Sequence, residues 1–210
     1  MKAQPYRYAI IADERVRAGL YRRMAGEGLA PFAMSAGVVS MDEWLRLTET
    51  RDGNFLLASV DILGHFHGMA HFHEAEYRMW RFDFTSFRAG FHRAVEQARG
   101  AFRWVFGHTD ATSIYGVTPV LHRHAVRLAE QCGFTVVSRL PAACWHARRA
   151  RFVDGIFVLC TQQTLNQGDS MGFGGGGGSR MPDVPPAPKA EVTKPVTEAA
   201  TAGTAEAHGA

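Results

Sequence analysis

The chain has 210 residues, a formal net charge of +3 and 46% hydrophobic residues, so a folded core is affordable and a wholly disordered chain is excluded. The charge is small and carried mainly by scattered arginines, which argues against a nucleic-acid partner. No apolar run reaches the length of a membrane span or signal-peptide core, and Cys132, Cys144 and Cys160 show no disulfide or zinc spacing, so a cytoplasmic protein away from membranes is expected.

Residues 6–12 read as a first strand. Val16, Leu20 and Met24 follow at four-residue steps, an amphipathic helix that ends at Gly26 and Gly28. Ser40 and Glu43 form a capping-box pattern ahead of Trp44, Leu45 and Leu47. Three β-rich stretches, 54–62, 65–73 and 77–85, are joined by short turns and predict an antiparallel meander. The middle one holds His65, His67, His71 and His73 at even spacing. A regular strand would put all four on one face with Met69, and Phe66, Gly68, Ala70 and Phe72 on the other. Such a row runs about 26 Å at roughly 3.3 Å per residue, too long to close around one ion, so no metal site is expected.

Residues 90–107 carry apolar side chains at three- and four-residue steps, the clearest helix of the chain. A strand at 113–117 leads to Thr118 as N-cap and Pro119 at the first position of another helix, which Gly133 ends. Strands at 134–140 and 153–161 close the domain, with an arginine-rich connection between them. From Gly168 the composition turns to glycine, then proline, alanine and threonine. Five acidic residues against three basic leave this segment at −2 and the remainder at +5. The expected organisation is one mixed α/β domain over residues 1–167 and a disordered tail over 168–210. Helix N-termini just after strands, at 85–91 and 118–122, are candidate anion sites lining a ligand crevice.

The segment "HRHAVRLAEQCGF" (122–134), after "IYGVTPV", resembles the last conserved helix of the GNAT acyl-CoA N-acyltransferases, with Ala125, Leu128, Gly133 and Phe134 matching in spacing. The element order matches that family over about residues 6–161, and the flavour is also similar to divergent phage and prophage members. The resemblance implies a GNAT-like fold, acetyl-CoA as acyl donor and a primary amine, on a small molecule or a protein, as acceptor. It sets CoA between the 77–85 and 113–117 strands. Phe84 and Thr85 lie at the strand end, and the pyrophosphate on the loop formed by Arg88, Ala89, Gly90, Phe91, His92 and Arg93. His122 stands where relatives have a cofactor-contacting asparagine. Ala129 stands where many relatives have a proton-donating tyrosine. The implied base is a group on the meander: Asp83, flanked by Phe82 and Phe84, with His73 and Glu74 as further candidates. The alternative is a GNAT-fold module without catalysis, serving as a binding or phage-associated structural part. Neither the identity of the acceptor nor the oligomeric state is legible in the sequence.

Overall fold

The computed structural model describes residues 6–34, 37 and 40–170; the tail expected from Gly168 therefore lies outside the described residues beyond Ser170. Seven strands form one mixed sheet in the order β1-β2-β3-β4-β5-β7-β6. They are β1 Arg7–Ile10, β2 Asn54–Val60, β3 Phe66–Glu76, β4 Met79–Ser86, β5 Ser113–Pro119, β6 Thr135–His146 and β7 Arg151–Thr161. The predicted meander is present as β2–β3–β4, antiparallel throughout, and β1 adds to it antiparallel on the β2 edge. Among the described residues no helix is long and apolar enough to cross a membrane.

Two apolar clusters cover the two faces. On one, α3 (Ala94–His108) and α4 (Arg123–Gln131) pack Ala98, Phe102, Val105, Val126 and Ala129 against Phe72, Ile114 and Val158. On the other, α1 (Glu14–Gly26) and α2 (Met41–Leu47) pack Leu20, Met24 and Trp44 against Leu56, Ala58 and Met69. Local chemistry sets the helix starts. The Asp13 carboxylate accepts from the Arg15 and Val16 N–H groups at 2.7 and 3.1 Å, and the Ser40 hydroxyl accepts from Glu43 N–H at 3.2 Å. Gly133 takes φ +92° just past α4, as its position predicts.

The structure corrects four expectations. The histidine row is broken by a bulge: Ser59 pairs with Gly68 but Val60 pairs with Phe66, so one residue of β3 is extra. Phe66 consequently joins Met69 in the α1/α2 cluster, while His67 sits 5.4 Å from the ring of Tyr6. His65 and His67 both meet the Asp61 carboxylate, at 3.2 and 2.9 Å. Only His71 and His73 remain as neighbours, 5.4 Å apart. Secondly, Thr118 and Pro119 do not start a helix. They end β5 opposite Ile156 and Gly155, where the missing proline N–H is tolerated, and α4 begins after His122 as N-cap. Thirdly, β6 runs on through Pro141 to His146, because a register shift between Leu140 and Cys144 and a left-handed Ala142 absorb the proline. Lastly, an unpredicted helix α5 (Gln162–Ser170) follows β7 and buries Leu165, whose carbonyl accepts from the Arg99 guanidinium at 3.1 Å.

Candidate active-site cleft

The site begins with a gap in the sheet. β4 and β5 run parallel but pair only over Met79–Arg81 and Ser113–Tyr115. One residue further, the ring of Phe82 occupies the place opposite Gly116; a Cβ built on Gly116 would meet that ring at 2.7 Å. Phe82 is held there by Phe102 and Phe134, with ring centroids 4.8 and 5.0 Å away. An aromatic wedge against a glycine thus stands at the apex, and the strand ends beyond it border a cleft of ≈ 960 Å³.

One wall is β4 from Phe82 to Ser86 with Phe91 and Ala94; the other is Gly116–Pro119 of β5 with His122, Ala125 and Ala129. Leu29, Pro31, Phe32, Ala33 and Met34, between α1 and α2, form an apolar flank. Trp145, His146, Arg148 and Arg149, from the β6–β7 end, close the remaining side. Asp83 is the lone carboxylate among the described residues that line it.

Of the residues singled out in the sequence, the fold brings Asp83, Phe84, Thr85, Phe91 and His122 to this cleft. Arg88, Ala89, Gly90, His92 and Arg93 form a 3-10 helix (Arg88–Arg93) at the β4 end and are not part of the lining. Arg88 is held by Glu27: its backbone N–H donates to the carboxylate at 2.7 Å and its guanidinium to the Glu27 carbonyl at 3.1 Å. Arg93 donates to Glu96 at 2.7 Å and lies over the ring of Tyr6. The Gly90 carbonyl accepts from Gln97 Nε2 at 2.8 Å, which ties this turn to α3. Glu74 lies exposed by the β3–β4 turn, accepting from Arg78 N–H at 3.3 Å, away from the cleft.

His71 and His73 face the α1/α2 side. Asn54 donates through Nδ2 to the Leu47 and Glu49 carbonyls, so its Oδ1 is left to accept from His71 Nε2, 2.9 Å away. That fixes the neutral Nε2–H tautomer of His71. Burial, then the neighbouring His73, pushes its pKa down to about 4. His73 is lowered as well, by burial first and by Arg81, with Asp83 opposing. Burial pushes the Cys144 thiol up to about 11, which leaves it protonated and unreactive at neutral pH. Among the described residues, no group of three or more His, Cys, Asp or Glu side chains is placed to hold a metal ion.

Sequence reasoning missed the second half of the lining. Phe32, His146, Arg148 and Arg149 come from segments that read as connections, and only the fold gathers them around His122. The His122 ring lies 5.6 Å from Phe32, 5.4 Å from His146 and 5.8 Å from His124. Burial, then His124, His146 and Arg148, lowers the His122 pKa.

No protein-family model and no curated protein sequence matches the chain. Solved structures do. The spermidine N-acetyltransferase of Vibrio cholerae in complex with CoA and spermine matches at TM-score 0.63 and 17% identity, covering 76% of this chain and 98% of that one. A mutant of the same enzyme, SpeG, gives 0.62 and 17% over 77% and 98%. The chain has the GNAT fold. A dodecameric form of that enzyme in an intermediate state gives 0.61 and 17% over 78% of this chain and 98% of that one. At such identity the likeness concerns the fold, and the function has to be argued from the GNAT cleft itself. These neighbours give no support to a phage or prophage type.

Proposed function

We propose that the protein is an acetyl-CoA-dependent N-acetyltransferase acting on a primary amine. The observation that carries this reading is the wedge-opened gap between β4 and β5 within a GNAT fold. It presents two strand edges beyond the last paired residues, one of them bearing a carboxylate. The pantetheine arm of CoA is an extended chain with two amides, and strand edges recognise such chains by completing the ladder. Its pyrophosphate would lie near the 88–93 turn and the α3 N-terminus, whose dipole favours anions, and Arg88 and Arg93 would exchange their present partners, Glu27 and Glu96, for phosphate oxygens. The bound donor supplies an activated acetyl thioester.

The remaining steps belong to the chain. The cleft holds the amine against the thioester, converting a bimolecular encounter into a positioned one. Asp83 takes the proton of the ammonium group or of the attacking amine. The nitrogen bonds to the acetyl carbon, the tetrahedral intermediate collapses, and the carbon–sulfur bond breaks to release the thiolate. Ala129 lines the cleft where relatives carry a tyrosine and has no proton to give. The thiolate is therefore protonated from solvent. A cytoplasmic setting suits the donor and the three buried free cysteines.

The test is a thermal-shift titration with acetyl-CoA followed by free-thiol release with a panel of amines. Stabilisation together with thiol release supports the reading. Stabilisation without release for any amine would favour the non-catalytic binding module, which the missing tyrosine also suits. No stabilisation at millimolar acetyl-CoA would end the acetyltransferase reading.

A further inference from the structure

Five of the residues that line the cleft are histidines or arginines: His122, His124, His146, Arg148 and Arg149. They gather where the α1–α2 connection, the start of α4 and the end of β6 meet. Phe32 is the platform of the group. The Arg148 guanidinium lies over its ring at 5.5 Å, and His122 meets the ring edge-on at 5.6 Å. His146 is 92% buried, and its Nδ1 has no hydrogen-bond partner among the described residues. Neither Arg148 nor Arg149 pairs with a carboxylate among them. The two guanidinium groups therefore lack a counter-charge among the described residues, and an anion placed beside them supplies it, with the histidine rings as further hydrogen-bond partners.

The opposite flank is apolar. No charged residue occurs from Gly28 to Met41, and Leu29, Pro31, Phe32, Ala33 and Met34 from this stretch line the cleft. Apart from Asp83, then, nothing among the described lining residues offers negative charge to a polycation. A polyamine carries several positive charges, and it would have to set them beside arginines and histidines.

We propose that the acceptor is an amine bearing an anionic group, carboxylate or phosphate. Arg148, Arg149, His122 and His146 hold the anion, Phe32 and its apolar neighbours hold the body, and the amine points towards Asp83. This rests on the acetyltransferase reading above. The anion of the acceptor is distinguished from the phosphates of CoA by position: the 88–93 turn lies at the end of β4, whereas this group lies on the β5–β6 side.

Matched amines test it: propylamine, β-alanine, O-phosphoethanolamine and spermidine, each titrated calorimetrically into the full chain with and without saturating CoA. The expected result is at least tenfold tighter binding of the two anionic amines than of propylamine, with spermidine weakest. Arg148→Ala/Arg149→Ala should abolish that advantage, and Arg148→Lys/Arg149→Lys should restore part of it. In turnover the alanine pair should raise KM for the anionic amine and leave KM for acetyl-CoA unchanged. Equal binding of charged and neutral amines, preference for spermidine, or a preference that survives the alanine pair overturns the proposal. So does a rise confined to the KM for acetyl-CoA, which would assign the cluster to the phosphates of the donor. Failure of the acetyltransferase reading shows separately, as absent acetyl-CoA binding, while the titrations without CoA still report the anion preference.

Discussion

Gln97 is fully buried in the first turn of α3 and joins three elements. Its Oε1 accepts from Ser59 of β2 at 3.4 Å and from Ser86 of β4 at 3.3 Å, and its Nε2 donates to the Gly90 carbonyl at 2.8 Å. Two glycines make room for it, because a Cβ on Gly68 would collide with Oε1 and one on Gly90 would lie 2.5 Å from Nε2. We predict that Gln97→Leu destabilises the fold and loosens the 88–93 turn. Three bonds at about 1 kcal/mol net each set the upper scale. The serines keep alternative acceptors, the Gly68 and Phe87 carbonyls, so the orphaned Gly90 carbonyl dominates. The expected cost is about 2–3 kcal/mol, or a fall in Tm of about 4–12 °C for a domain of this size. Urea melts measure the first and calorimetry the second. A coupled check is Gly68→Ala, which should cost less in a Gln97→Ala background than in the parent, since the colliding Oε1 is then gone. A Gln97→Leu protein within about 0.5 kcal/mol of the parent, or no coupling with Gly68, would refute the reasoning.

Three further outcomes follow from the same structure. Asp83→Asn should leave acetyl-CoA affinity intact and lower turnover by about 10²–10⁴-fold, the range for a lost general base; equal losses in affinity and turnover would make Asp83 a structural residue. His71, held neutral by burial with a pKa of about 4, takes up a proton on unfolding at a pKa near 6.5. Its contribution is therefore complete above about pH 6.5 and declines as pH falls towards 4, by about 3 kcal/mol in all. His73 and His122 are lowered too and act in the same direction, so His71→Gln should shrink this slope without flattening it; an unchanged slope in chemical melts counts against the assignment. A chain ending at Ser170 should melt like the full one, whereas one ending at Thr161 loses the 99%-buried Leu165 and should be less stable by about 2–5 kcal/mol. Equal melting of both truncations would show that α5 is dispensable.

The sequence alone determined what depends on neighbours a few residues away. Alternation made the β2–β3–β4 meander legible, four-residue spacing made α1 and α3, and the Ser40–Glu43 cap and Gly133 stop are backbone chemistry within one turn. The GNAT fold was expected from the resemblance of residues 122–134 to that family's last conserved helix, together with the order of elements. The bulge that removes His67 from the histidine row, in contrast, is a mismatch between β2 and β3, visible only when both strands pair. Pro119 reads locally as a helix start, yet pairing with β7 draws it into β5. Gly116 and Phe82 are unremarkable 34 positions apart until parallel pairing sets them opposite each other and the ring stops the ladder. The basic cluster is the most distant case. Phe32 and His122 sit on two connections and His146 at the end of β6, and long-range packing, with no period in the sequence to announce it, sets the His122 ring 5.6 and 5.4 Å from the other two at one cleft.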